Sequence, residues 1–351
     1  MPPIAHLDMD AFYVSVELGR RPDLRGLPVV VAGSGPRAVV TTASYEARRF
    51  GIGSAMPAAR ARRLCPDAVF LPPDFETYRA HSRQVMELLR AHVERVEVVG
   101  LDEAYLDLDG LMAPHAAMRR LVAAIRDSTG LGASVGIGPN KLVAKVASDA
   151  EKPRGFVVLS RAEACARFAG ASPGLVPGIG PKTVERLGAM GIGTLARLAA
   201  TPEEVLRERF GPNHGHELLA RAQFRGSETL TLERVAVSES RETTFPTDIA
   251  DRAEQEHVLA RLSDQLCAGL RGSGRRGRTI AIKVRLDDWT TVTRARTQPE
   301  ATDDAQHVTA VALDLLRTYA PARPVRLLGV RIANFEAEAP TVEAGQMALE
   351  V

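Results

Sequence analysis

Residues 4–10 alternate, with Ala5, Leu7 and Met9 facing one way and His6 and Asp8 the other, which predicts a strand with one apolar face. Short apolar runs at 28–32 (PVVVA) and 38–42 predict two further strands in a small subdomain. The period then lengthens, and 79–93 reads as a helix. A hairpin is expected from 96–99 and 104–108, turning through Gly100-Leu101-Asp102-Glu103, followed by a helix at 118–129, a strand at 132–137 and a helix at 140–149. These elements predict a mixed α/β unit with largely antiparallel pairing, interrupted by an inserted piece at 11–74. Beyond about residue 165 the composition changes, and 166–235 reads as helical, punctuated by VPGIGPKT and MGIGT. Residues 236–337 then run strand, helix (252–271), strand (279–286), strand (290–297), helix (305–318), strand (325–334), the order of a split β-α-β domain with two helices on one face. The last stretch, 338–351, reads as a flexible tail. The expected class is therefore α/β (α+β) and multidomain.

With 351 residues the chain is long enough for two to four domains, and 45% hydrophobic with 25% charged residues is the mixture of a globular protein. Cys65, Cys165 and Cys267 have neither a disulfide framework nor a zinc spacing. The N-terminus MPPIAHLDMD carries no apolar signal region, and no apolar run approaches the roughly 20 residues that span a bilayer. A cytoplasmic protein without a membrane partner is expected. A net charge of +2 hides an uneven distribution. Residues 271–296 hold eight Arg/Lys against two acids, 11–74 hold nine arginines against five acids, and the segment from Glu336 onward has four glutamates and no base. Separate basic surfaces on a nearly neutral chain suit a polyanion, although solvated arginines would look the same.

Asp8 near the end of its strand and Asp102-Glu103 at a hairpin tip would bring three carboxylates together if the two strands were neighbours. Hard oxygen ligands of this kind suit Mg²⁺, and paired ions about 3.5–4 Å apart drive phosphoryl displacement. Adjacent residues on a regular strand face opposite ways, so Asp102 and Glu103 converge only if the hairpin bends there.

The segments DMDAFYVSVE, TTASYEARRFGI, GLDEAYLDL, VGIGPNKLVAKVAS and EKPRG occur in this order. Together they resemble the Y-family translesion DNA polymerases, most closely the bacterial DNA polymerase IV branch, over residues 4–337. The resemblance implies a right hand: palm (1–10 and 75–165), fingers (11–74), thumb (166–235) and little finger (236–337). It implies that Asp8, Asp102 and Glu103, with the Met9 carbonyl, hold two Mg²⁺ ions, Mn²⁺ being an alternative, and that Asp10 is structural. Tyr13 matches the aromatic gate that excludes a ribose 2′-hydroxyl. Tyr45 and Arg48, with Thr42 beside them, match residues gripping the dNTP triphosphate, and Lys152 matches a lysine on its outer phosphates. Gly33, Thr41 and Ala55 match positions near the nascent base pair. Lys141 and Lys145, one helical turn apart, read equally as a solvated face or as DNA contacts.

VPGIGPKT followed by GIGT resembles a helix-hairpin-helix, which would set Gly178, Gly180 and Lys182 against primer-template DNA phosphates. In the C-terminal domain Ile280, Ile282, Val284 and Leu286 should point inward and Lys283 and Arg285 outward. With Arg275, Arg276, Arg278, Arg294 and Arg296 these are expected to form one basic sheet face. Gln346, Leu349 and Val351 resemble the peptide that bacterial polymerases insert into the sliding clamp. A monomeric DNA polymerase without proofreading is thus the expectation. A nucleotide cyclase shares the palm's two-metal logic but has no need of a DNA grip, and a DNA-binding scaffold has no need of three carboxylates.

Overall fold

The computed structural model describes residues 3–233 and 235–336; the expected clamp peptide at Gln346, Leu349 and Val351 lies outside them. In chain order the first elements are β1 (Ile4–Met9), α1 (Phe12–Arg20), β2 (Val29–Ala32), β3 (Val40–Ala43), α2 (Tyr45–Arg48), α3 (Ala58–Leu64) and β4 (Val69–Leu71). Next come α4 (Phe75–His92), β5 (Val96–Val98), β6 (Glu103–Asp107), α5 (Pro114–Thr129), β7 (Ala133–Gly138), α6 (Lys141–Ala150) and β8 (Phe156–Val158). A helical stretch follows: α7 (Arg161–Arg167), α8 (Pro181–Ala189), α9 (Leu195–Ala199), α10 (Glu203–Phe210) and α11 (Pro212–Ala222). The chain continues with β9 (Ser238–Ile249), α12 (Arg252–Gly272), β10 (Gly277–Leu286), β11 (Thr291–Thr302), α13 (Ala305–Tyr319) and β12 (Val325–Phe335). Contacts divide it into two units, Met1–Ser34 with Ala38–Arg234, and Gly35–Arg37 with Val235–Val351.

In the first unit β1 is the middle strand of a sheet ordered β5-β6-β1-β7-β8, antiparallel to both neighbours, while β8 runs parallel to β7. Both faces of β1 are buried. Ala5, Leu7 and Met9 enter an apolar core shared with Tyr78, Val85 and Leu89 of α4 and Leu121 and Ile125 of α5. The opposite face, carrying His6 and Asp8, is covered by α6. Two glycines of β7 permit that packing: a methyl group on Gly136 would overlap the Ala144 carbonyl oxygen and the Ser148 amide, and one on Gly138 would lie 2.6 Å from Val143 Cγ1. Asn140 starts α6, its Oδ1 accepting from Val143 N at 2.9 Å while its Nδ2 donates to the Phe224 carbonyl at 2.9 Å.

The inserted piece forms a three-stranded sheet, β3-β2-β4. Alternate residues of β2 serve two cores, Val29 and Val31 the one around β1, Val30 and Ala32 a small one with Val40, Ile52, Ala61 and Cys65. The helical stretch packs around Leu187, Leu198, Leu206, Leu218 and Phe224, and this core takes in Leu142, Val143 and Val146 of α6. One helix therefore carries a polar edge toward Asp8 and an apolar edge toward the helices after residue 160.

The second unit is a sheet ordered β11-β10-β12-β9 with α12 and α13 against one face. Ile280, Ile282 and Val284 face those helices beside Leu259, Leu266, Leu316 and Ile332, as their alternation predicts. The expected single basic face is corrected by the register. Arg294 stands opposite Ile282 and Arg296 opposite Ile280, so both lie on the helix side of the edge strand β11. Arg296 pairs with Asp314 of α13 and the Arg294 guanidinium sits 5.2 Å over the Tyr319 ring. Lys283 and Arg285 do occupy the open face, opposite Thr293 and Thr291, and Arg331 joins them there opposite Ala281.

Candidate active site

Asp8 and Glu103 are direct cross-strand partners of β1 and β6, so their side chains rise from the same face. The chain bends through Gly100–Asp102 before β6 begins, where the amides of Val99 and Gly100 both bond the Glu103 carbonyl, at 3.1 and 3.3 Å. Met9 N donates to the Asp102 carbonyl at 2.8 Å, which fixes this bend beside the end of β1. The bend expected between the adjacent acids is thereby present. His6, two residues before Asp8, shares their face: ligand atoms of His6, Asp8 and Glu103 all lie within 4.8 Å of one another. The Asp102 carboxylate stays outside that group, with Oδ1 3.4 Å from the position of a Gly100 Cβ. Burial, then the charges of Asp8 and Glu103, push its pKa up to about 6.

Two lysines neutralise the cluster. Lys145 Nζ lies 2.8 Å from Asp8 Oδ2 and 2.9 Å from Glu103 Oε2, and Lys152 Nζ lies 2.6 Å from Asp8 Oδ1 and 2.7 Å from Asp149 Oδ1. His6 Nδ1 is 2.8 Å from Ser148 Oγ, while its buried Nε2, 3.3 Å from Glu103 Oε2, is too poorly aligned for a full hydrogen bond. His6 and then Lys145 hold Glu103 down to about 2, and burial keeps His6 below its ordinary value. Lys145 stays charged because Asp8 and Glu103 outweigh the cost of its burial. These donors fit hard divalent cations: carboxylate oxygens dominate, and the geometry already draws positive charge to the Asp8 oxygens from two sides. Both lysines of α6 are engaged in ion pairs, Lys145 as above and Lys141 Nζ with both oxygens of the buried Glu97 at 2.7 and 2.6 Å.

Asp10 turns away from the cluster and is held by three groups: Ser134 Oγ at 2.7 Å, Arg154 N at 2.9 Å and Tyr45 Oη at 3.4 Å. Burial and then Asp10 raise the Tyr45 phenol well above its ordinary value, so it remains a donor. Arg48 lies 4.8 Å from the Tyr45 ring centroid and donates from Nε to the Ala43 carbonyl at 3.0 Å. Thr42 is buried in β3, opposite Val31. Tyr13, in the first turn of α1, packs on Tyr78 and Phe75 with centroids at 4.6 and 5.9 Å; burial and then Asp102 raise its pKa.

Elsewhere in the first unit Gly178 takes φ 90°, and a side chain there would strike the Arg221 guanidinium, which donates to the Pro177 carbonyl at 2.7 Å. Gly180 is the N-cap of α8, and Lys182 lies in its exposed first turn. In the second unit Arg275 lies 3.7 Å from Glu239, Arg276 3.6 Å from Asp303 and Lys283 2.9 Å from Glu242, Arg285 donates to Thr291 Oγ1, and Arg278 is exposed.

Against known proteins, the profile of the impB/mucB/samB family matches residues 7–149 and that of its C-terminal domain residues 236–349. The DNA polymerase IV of Streptomyces coelicolor is 45% identical over 339 residues, 95% of this chain and 71% of that protein. That of Xanthomonas euvesicatoria pv. vesicatoria is 42% identical over 341 residues, 95% of this chain and 94% of the relative. Among solved structures, a Y-family DNA polymerase chimera of Dbh and Dpo4 superposes with a TM-score of 0.82 at 27% identity, over 95% of this chain and 98% of the chimera. With both halves matched and the carboxylates of Asp8, Asp102 and Glu103 inside the first, the chain belongs to the impB/mucB/samB family of Y-family DNA polymerases, on the DNA polymerase IV branch.

Proposed function

We propose that this protein is a template-directed DNA polymerase that performs translesion synthesis. The primer 3′-oxygen forms a bond to the α-phosphorus of a dNTP, the bond to the β-phosphate breaks, and pyrophosphate leaves. The observation that carries this reading is the register that sets Asp8 opposite Glu103, with Asp102 at the adjoining bend. Asp8, Asp102, Glu103 and the Met9 carbonyl would hold two Mg²⁺ ions, with Mn²⁺ as a substitute. Bound there, the ions supply activation of the attacking oxygen and charge stabilisation of the leaving one. Lys145 balances the acids, and Lys152, whose ammonium sits on Asp8 Oδ1, passes to the outer phosphates of the nucleotide. Tyr45 and Arg48 donate to the triphosphate, Thr42 lines the same segment, and the Tyr13 ring, braced by Tyr78, meets the sugar.

In this reading residues 1–10 and 75–165 are the palm, 11–74 the fingers, 166–235 the thumb and 236–337 the little finger. Gly178, Gly180 and Lys182 meet template phosphates, the basic residues of the second unit grip the duplex as a monomer, and Gln346, Leu349 and Val351 engage a sliding clamp. The test is single-nucleotide insertion on damaged and undamaged templates, with dNTP and rNTP side by side. Wild type should insert dNTPs on both templates, and Tyr13→Ala should raise the rNTP/dNTP ratio at least tenfold. No insertion by wild type, or an unchanged ratio in the variant, contradicts the reaction or the gate respectively.

A further inference from the structure

Asp10 borders an open groove of about 1060 Å³. Arg25, Arg48, Arg49 and Arg154 line it, against the carboxylates of Asp10 and Glu46. Asp10 is already satisfied by Ser134, Tyr45 and the Arg154 amide, so its charge is committed to its own anchors. The four guanidinium groups make no ion pair with any carboxylate among the described residues, although thirteen other arginines do. Arg154 is also held in an unfavourable conformation. Its φ is 60°, a left-handed value suited to glycine, fixed by its amide bond to Asp10 Oδ2. Its side chain crosses above Gly132, where a Cβ would approach Asp10 Oδ2 to 3.3 Å and Arg154 Cγ to 3.8 Å. A strained arginine beside a floor kept open by glycine is the pattern of a binding surface.

We propose that this groove takes up the leaving pyrophosphate, with Arg25, Arg49 and Arg154 receiving it beyond Tyr45 and Arg48. This rests on the polymerase reading above. Planar guanidinium groups match phosphate oxygens in pairs, and a dense anion is the ligand that four arginines without a carboxylate partner around one cavity favour. The incoming triphosphate has the same chemistry, so the test separates the two. The measurements are the inhibition constant of inorganic pyrophosphate and the dNTP KM in single-nucleotide insertion, for the full chain and for Arg25→Ala/Arg49→Ala/Arg154→Gly.

The inhibition constant should rise about tenfold or more, with the dNTP KM rising far less. Arg154→Gly alone should raise it while keeping or raising the melting temperature, since glycine relieves the backbone. An unchanged inhibition constant overturns the proposal. Equal rises in both constants assign the groove to the incoming triphosphate and overturn it also. Loss of melting temperature together with affinity in Arg154→Gly makes that residue structural. Calorimetric titration of the wild-type chain with inorganic pyrophosphate reads the groove even if insertion fails, so failure of the polymerase reading stays distinguishable; absence of binding there counts against the groove itself.

Discussion

Lys145 touches both Asp8 and Glu103 and comes from a helix 137 positions further along the chain than Asp8. Removing its ammonium leaves two close carboxylates without their shared counter-charge. Lys145→Met should therefore cost about 1–3 kcal/mol of stability in metal-free buffer, discounted from a fully buried pair because the lysine is part exposed. Added Mg²⁺ should restore the variant's melting temperature more than it raises that of wild type. The pH dependence follows from Glu103. Its folded pKa of about 2 lies below its ordinary 4.5, so its contribution is present above 4.5 and is lost as pH falls from there toward 2. Lys145→Met should shrink that acid-side loss, as urea melts at pH 3 and 6 would show. At this scale the sequence was half legible. Alternation put His6 and Asp8 on one face, but two lysines a turn apart look alike on a helix. Only the fold gives one to Glu97 and the other to the acidic cluster. Asp10 separates from Asp8 because β1 ends at Met9 and its carboxylate is captured by Ser134 and the Arg154 amide.

Helix α6 is the element on which the site depends. It can lie flat on β1 and β7 only because Gly136 has no side chain. Gly136→Ala should push α6 outward, costing on the order of 1–3 kcal/mol or more and lowering insertion through displacement of Lys145. A variant as stable and active as wild type would show that the contact is slack. Long periodic elements such as α4, α5 and α12 were legible from spacing. Among those that were not, α1 is rich in aromatic and β-branched residues, whose local preference is for strands, and it is helical through burial of Phe12, Val14 and Val16. The short strands β4 and β8 make parallel pairs with β2 and β7, and three residues carry no period. The face of Arg294 and Arg296 is not legible in the charge pattern, because register follows the β10–β11 turn.

Across the whole molecule, the two matched halves place acid chemistry in the first unit and an open, basic, hydroxyl-rich sheet face in the second. If that face meets duplex phosphates, Lys283→Ala/Arg285→Ala/Arg331→Ala should weaken binding alike on every sequence. Each lost phosphate contact should lower the slope of log affinity against log salt by roughly 0.9. Arg294→Ala/Arg296→Ala, on the helix side, should change the slope less; an equal change would mean that both faces reach DNA. Among the described residues no helix is long and apolar enough to cross a membrane. If Asp8, Asp102 and Glu103 perform nucleotidyl transfer, the decisive measurement is single-turnover insertion by Asp8→Asn on a pre-bound primer-template. The rate should fall at least a hundredfold while affinity for the primer-template stays within about twofold of wild type, since the proposed DNA contacts lie elsewhere. Insertion by Asp8→Asn at the wild-type rate would contradict that role.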